Sequence, residues 1–397
     1  MNDPHGYDLS RRKDLLAIAS RMAIKLAGES GVIEENRFLP QQIATEMADA
    51  GLYRMLTPAI YGGYEVDVHT FIEVIELLSR SNASAGWCAF ISCTSATIGA
   101  YLPAEEARQV FANPGVKCAG VFAPRGRAVR VTRDGIDGFL VSGRWPWGSG
   151  SRNADYITGG CLVMDAEGKP ENTGNGTPNV RSMLFSADQV DIFDTWHTVG
   201  LRGTGSNDYG VKDLFVPVTR SAALLTDTPL ATPLYKFPIF GLLGVGIASV
   251  ALGIARSAMD EVLALANQKT PQGSAKLLAE RASTQEHAAR SEARWQAARA
   301  FLLNAVDEAW DAAMKSEISL QQRWNIRLAT TYAVEEAAEI VSRMHRIAGG
   351  SAIFDTSPLQ RCLRDVHVAT QHMMVSESTY ELVGRLLLGM PTNTSML

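Results

Sequence analysis

Cysteine is scarce in this 397-residue sequence, and neither sign of charge dominates it. The five cysteines (Cys88, Cys93, Cys118, Cys161 and Cys362) are scattered and odd in number, with no metal-type spacing. That pattern excludes a disulfide scaffold and fits buried thiols in a reducing cytoplasm. A net charge of −5 leaves no basic surface for nucleic acid or an anionic membrane. No His-x-x-x-His pair, Cys-x-x-Cys pair or carboxylate cluster is present, so no metal site is expected. His367 and His372 are about 140° apart if they lie on one helix, and so share no face. The G-x-S-x-G elbow of serine hydrolases is also missing. Two G-x-x-G-x-G stretches exist, in "GLRGTGSND" (200–208) and "GLLGVG" (241–246). Neither has the strand-to-helix context of a dinucleotide fingerprint, and the first reads as a tight turn in which Thr204 and Ser206 offer donors.

Long apolar runs are few. The N-terminal "MNDPHGYDLSRRKDLL" has no apolar stretch after its basic residues, so no secretory signal is expected there. "PIFGLLGVGIASVALGIA" (238–255) carries no charge and approaches a membrane span in length. Five glycines and serines dilute it, at 241, 244, 246, 249 and 253. Small residues at that density predict a buried core helix packed closely against its neighbours.

What is present falls into three textures. Residues 1–117 repeat apolar positions at helical spacing in "LPQQIATEMADAGLYRML", "VHTFIEVIELLSRS" and "AEEARQVF". Residues 118–225 switch to short Val-, Ile- and aromatic-rich runs bounded by Gly, Asn and Asp, which predicts an antiparallel β domain. "DAEGKPENTGNGTPN" (165–179) reads as an exposed loop between two of its strands. Residues 226–397 return to long helical periods rich in Ala, Arg and Glu, as in a bundle, and "HRIAGG" supplies a glycine helix stop. The expected fold is mostly α with a central β domain.

Two segments carry candidate chemistry. In "VSGRWPWGSGSRNADY" (141–156), strand alternation puts Trp145, Trp147 and Ser149 on one face. An indole beside a hydroxyl suits a planar heteroaromatic ligand; a core aromatic strand ending in a Ser-Gly turn would read the same. "LRDVHVATQHMMVSES" (363–378) reads as one helix that opens on Arg364-Asp365 and carries His372 with no acidic side chain near it. A core histidine is the plain alternative for that position.

Together the order, textures and motifs resemble the acyl-CoA dehydrogenase fold over nearly the whole chain. "GLRGTGSNDYGVKDLFVP" (200–217) is similar to that family's central β segment, and "AGGSAIFDTSPLQRCLRD" (348–365) to its Gly-Gly segment and Arg-Asp. The resemblance implies a flavin between β domain and bundle, with Ser149 facing flavin N5 and Gly349 and Gly350 near its phosphates. Lys269 falls where the dehydrogenases carry an arginine for those phosphates, although the neighbouring Phe-Gly is absent from "QKTPQGS". The dehydrogenase base would stand nine residues after Arg364, where this chain has Met373. Its alternative position lies on the acid-free 238–255 helix, and Glu377 and Glu381 come one and two turns too late.

Other residues resemble the two-component flavin-dependent monooxygenase branch. "APRGRAVRV" (123–131) looks like its flavin contact, with Ala123 in it. "SGRWPWGSG" (142–150) is close to its S-G-x-W-x-[FW]-x-S-G pattern, which includes Trp147. "RDVHVATQH" places His372 eight residues after Arg364, where that branch has its catalytic histidine, and "NASAGW" (82–87) resembles its substrate-side helix. The resemblance implies reduced flavin (FMNH2 or FADH2) and O2, with oxygen transferred from a C4a-hydroperoxyflavin to a phenol- or indole-like ring. It also implies a separate NAD(P)H-dependent flavin reductase and a homotetramer built as a dimer of dimers. His372 would be general base or hydrogen-bond partner of the oxygen species, and Ser149 would hold flavin N5–H. Trp87, Phe90 and Met373 would line the substrate pocket. A divergent acyl-CoA dehydrogenase and a non-catalytic flavin-fold binding protein are the alternatives.

Overall fold

The computed structural model describes residues 5–173 and 177–397. The first four residues of the N-terminal segment, and 174–176 of the loop read above, lie outside the described residues. The helical first texture forms α1 (Leu9–Gly28), α2 (Ser30–Asn36), α3 (Gln41–Asp49), α4 (Val68–Ser81), α5 (Ala83–Ala96) and α6 (Ala104–Val110). Local signals set several of their starts. Asp67 accepts the Thr70 N–H at the head of α4, and Asn82 accepts the Ala85 N–H at the head of α5.

Among the described residues seven strands follow: β1 (Cys118–Arg133), β2 (Ile136–Gly148), β3 (Tyr156–Met164), β4 (Val180–Ser186), β5 (Asp191–Phe193), β6 (Asn207–Pro217) and β7 (Ser221–Ala222). They make one sheet in the order β5-β6-β2-β1-β3-β4-β7. Asp134 and Gly135, both at positive φ, turn β1 into β2. The sheet is not wholly antiparallel as expected, because β1 and β3 pair parallel. The start of β3 is pinned beside the start of β1. Asp155 N–H donates to Lys117 O at 2.8 Å, and Lys117 N–H donates to the Asp155 carboxylate at 2.8 Å. Two strands that leave from one point run the same way.

The last third supplies α7 (Pro233–Lys236), α8 (Ile239–Ala266), α9 (Ala282–Lys315), α10 (Leu320–Ala348), α11 (Pro358–Ala369) and α12 (Ser378–Leu387). α8 is the charge-free segment. It is long and apolar enough to cross a membrane, but 89% of its most apolar window is buried inside the protein. Its small residues let α4, α5 and α10 close on it; Phe90 of α5 lies against Gly246. Burying a helix on all sides removes the amphipathic pattern that a surface helix needs. N-terminal and C-terminal helices therefore share a single core, which runs from Tyr7, just before α1, to Val375.

Candidate flavin and substrate site

Site residues converge where α5, the end of β2, the β5–β6 loop and the segment after α11 meet. Within β2 the pairing with β6 shifts register between Trp145 and Gly148. This bulge corrects the expectation that the two tryptophans share a face. Trp145 is fully buried, donates its Nε1–H to Gly160 O at 2.8 Å and stacks on Tyr209. Trp147 adopts a left-handed φ of 64° and is 66% exposed. The extra residue of a bulge re-aims the next side chains, so one indole became core and the other edge. A left-handed tryptophan with an exposed ring is strained and apolar at once, which suits a surface that a planar ligand covers.

Behind Trp147 the chain turns in, and Ser149 is buried. Its Oγ accepts the indole N–H of Trp87 at 3.0 Å and lies 2.6 Å from Ser206 Oγ. Ser206 Oγ is in turn 2.6 Å from Thr204 Oγ1, which donates to Leu201 O at 2.8 Å. The loop that presents these hydroxyls is the glycine-rich stretch read as a tight turn. A 3-10 turn at Arg202–Thr204 is flanked by left-handed Leu201 and Gly205, which folds both hydroxyls toward Ser149. Thr204 and Ser206 are therefore joined to Ser149 in a buried chain and do not point at solvent.

The loop is fastened to α11. Buried Asp365 accepts the Leu201 N–H at 2.6 Å. Arg364 donates to Val199 O and pairs with Glu34 at 2.5 Å. Gly200 passes so close to the Arg364 carbonyl that a Cβ there would overlap it. Burial raises the Asp365 carboxyl to about 6, against the pull of the Leu201 hydrogen bond. Arg-Asp thus ties the hydroxyl loop to the helix leading to His372.

The expectation of one helix over 363–378 fails. α11 stops at Ala369, a 3-10 turn follows at Met373–Val375, and α12 starts at Ser378. His372 sits in the break as a cap, its Nδ1 accepting the Met374 N–H at 3.2 Å. Buried Arg327 of α10 holds the break open by donating to Met374 O at 3.0 Å and to Met396 O near the C-terminus. The imidazole is half-buried, 6.1 Å from the Trp87 ring centroid. Desolvation first, and the Arg327 guanidinium second, push it down to about 4. At neutral pH the ring is uncharged. With Nδ1 accepting, its single proton is on Nε2, which is left as a donor.

Trp87 is the hinge of this geometry, with Ser149 on its N–H, His372 beside its ring and Phe90 edge-on at 4.9 Å. Met373 is 61% exposed at the rim, while Met374 next to it is buried. Glu377 and Glu381 face solvent. Ala123 is half-buried in β1, where pairing with β3 shifts between Val121 and Gly126. Farther along, Lys269 Nζ donates to Ala348 O at 2.6 Å and to Ser351 Oγ at 2.9 Å. It closes the C-terminus of α10, where a cation is favoured. Gly349, at φ 57°, and Gly350 pass beside it, with open space around Gly350. An ammonium has three donors, and two of these are used. The five thiols are raised to about 12 by burial and are inert.

The family profile "Acyl-CoA dehydrogenase, N-terminal domain" matches residues 18–110, and "Acyl-CoA dehydrogenase, C-terminal domain" matches 245–377. Indole-3-acetate monooxygenase of Pseudomonas putida is 31% identical over 362 residues, covering 90% of each chain. The chain belongs to the flavin-dependent monooxygenase branch of the acyl-CoA dehydrogenase superfamily. Among solved structures, XiaF from Streptomyces sp., in complex with FADH2 and glycerol, superposes with a TM-score of 0.88 at 28% identity over 96% of both chains. The 3-HSA hydroxylase from Rhodococcus sp. RHA1 gives a TM-score of 0.87 at 25% identity, over 97% of this chain and 99% of that one.

This site fits a reduced flavin. Trp147 offers an uncovered ring face, Ser149 has a lone pair left over, and the Lys269–Gly350 corner has open space and a free donor. Sequence reasoning missed Arg327, whose signal was a lone arginine in the apolar-periodic "NIRLATTYAV", and the clamping role of Asp365.

Proposed function

We propose that this chain is the oxygenase component of a two-component monooxygenase that hydroxylates a small aromatic ring bearing an O–H or ring N–H. The observation that carries this reading is the Trp87 hinge, which sets a hydroxyl acceptor and a neutral imidazole around one indole. The residues around it lack a carboxylate base, since Glu377 and Glu381 are exposed and Asp365 is occupied by Leu201.

Bound reduced flavin supplies activation of O2 and delivery of one oxygen atom to the ring. Ser149 would accept a hydrogen bond from flavin N5–H, and the exposed ring of Trp147 would pack on the flavin. The Ala123 segment would also contact the flavin. Lys269, Gly349 and Gly350 would receive the phosphate end, where the ammonium has a donor to spare and the space around Gly350 is open. His372 donates from Nε2 toward the oxygen being transferred or the substrate's own oxygen. The resting tautomer supports the donor role over the base role, because taking up a proton would require giving up the Met374 N–H. Trp87, Phe90 and Met373 wall the substrate, and the apolar surface keeps water away from the reacting atoms.

A separate NAD(P)H-dependent reductase provides the reduced flavin. The enzyme acts in the cytoplasm as a homotetramer, a dimer of dimers. The test is incubation with FMN or FAD, a flavin reductase, NADH and 18O2, with phenols and indoles as substrates. One 18O atom in the product supports the reading. Oxygen recovered wholly as hydrogen peroxide with every aromatic tried contradicts it.

A further inference from the structure

The buried hydroxyl chain behind Ser149 has a direction, and the direction has a consequence. Thr204 Oγ1 lies 2.8 Å from Leu201 O, a carbonyl that can only accept. Two oxygens at that distance repel unless a proton lies between them, so the Thr204 proton points at Leu201 O. That carbonyl also receives Trp196 Nε1 at 3.1 Å and Thr204 N at 3.1 Å, and no proton returns along the chain from it. Thr204 Oγ1 is then the acceptor for Ser206 at 2.6 Å. With its own proton spent, Ser206 Oγ is the acceptor for Ser149 at 2.6 Å. Ser149 therefore gives its only proton inward. On its other side it accepts the Trp87 N–H, which uses one lone pair. What remains for a ligand is one lone pair and no hydrogen. Ser149, Ser206 and Thr204 are all at least 95% buried, so water does not reset the chain.

The geometry points to a redox-state filter: Thr204 and Ser206 are positioning residues that fix Ser149 as an acceptor, so the site takes reduced flavin and rejects oxidised flavin. This rests on the flavin reading above. Reduced flavin carries a hydrogen on N5 and meets the Ser149 lone pair as a donor. Oxidised flavin has a bare N5, an acceptor facing an acceptor. A buried acceptor left without a donor is costly, and two that face each other also repel. A chain supplied by a separate reductase needs this discrimination. It must draw the reduced form from a mixed pool and let the oxidised form leave after each turnover.

The test is equilibrium binding, with no turnover. Oxidised FMN and FAD are titrated aerobically and the reduced forms anaerobically into wild type, Ser206→Ala, Thr204→Val and Thr204→Ser. Wild type binds reduced flavin more tightly. In Ser206→Ala the Ser149 proton loses its acceptor and can turn toward N5 of oxidised flavin. Oxidised flavin then binds about tenfold more tightly, the reach of one hydrogen bond made in place of a repulsion, while reduced-flavin affinity stays close to wild type. Thr204→Val, which frees the Ser206 proton, shifts the ratio the same way by less, and Thr204→Ser restores it. A merely structural role would weaken both forms together and would not tighten either. An unchanged ratio, or parallel weakening in both variants, overturns the filter while leaving the flavin site intact. Failure of wild type to bind either redox form overturns the filter and the flavin reading together.

Discussion

Two desolvated groups near the site titrate in the same pH window with opposite effects on folding, and separating them tests the local electrostatics. His372 is lowered from 6.5 to about 4 by desolvation and by Arg327. Between those values the unfolded chain binds a proton that the folded chain does not, so this group makes stability rise with pH. Asp365 is raised from 3.8 to about 6 by burial. In its window the folded chain holds the extra proton, so this group makes stability fall as pH rises. Each contributes about 1.5 kcal/mol across pH 4.5 to 6.0, from ~1.4 kcal/mol per pH unit weighted by partial titration, and they nearly cancel. The perturbations are His372→Gln and Asp365→Asn, compared with wild type by urea unfolding at both pH values without flavin. Relative to wild type, His372→Gln loses about 1.5 kcal/mol between pH 4.5 and 6.0, and Asp365→Asn gains about the same. If neither difference changes with pH, both groups titrate at their ordinary values, and the desolvated environment described for them is wrong.

A neutral His372 leaves activity level between pH 5 and 8, with its acid limb near 4; a limb at the ordinary imidazole value would show a solvated ring. His372→Asn, which keeps a donor, retains more hydroxylation per flavin oxidised than His372→Ala, whereas a base role predicts equal loss from both. Gly200→Ala pushes a methyl into the Arg364 carbonyl and costs about 1–3 kcal/mol of stability by overpacking, read as a lower unfolding midpoint. Lys269→Met removes the ammonium at the Gly349–Gly350 corner and weakens reduced-flavin binding about tenfold, with a shallower salt dependence in the same titration.

Helices with a long, clean period were legible in the sequence. α4, α9 and α10 lie where the apolar spacing put them, and α8 is the core helix its small residues implied. Features set by distant partners were not legible. Nothing between Arg364 and Ser378 is a helix breaker; the break at His372 comes from Arg327 reaching Met374 from another helix. Strict alternation failed at Trp147 because a bulge adds a residue to one strand only, and the partner strand decides where. Parallel pairing of β1 with β3 follows from the Lys117–Asp155 contact, which joins residues 38 positions apart. Motifs singled out Ser149, Thr204 and Ser206 as candidate polar groups. Which of them donates depends on Leu201 O, a backbone atom whose position is visible only in the fold.

Rapid mixing shows whether reduced flavin held at the Trp87–Ser149–His372 site uses O2 to oxygenate a ring. Protein carrying reduced FMN or FAD is mixed with oxygenated buffer while O2 uptake and flavin absorbance are followed together. O2 is expected to be consumed before the oxidised-flavin spectrum returns, a lag that shortens in Ser149→Ala. Simultaneous O2 loss and flavin reoxidation, with and without a phenol or indole present, would contradict it.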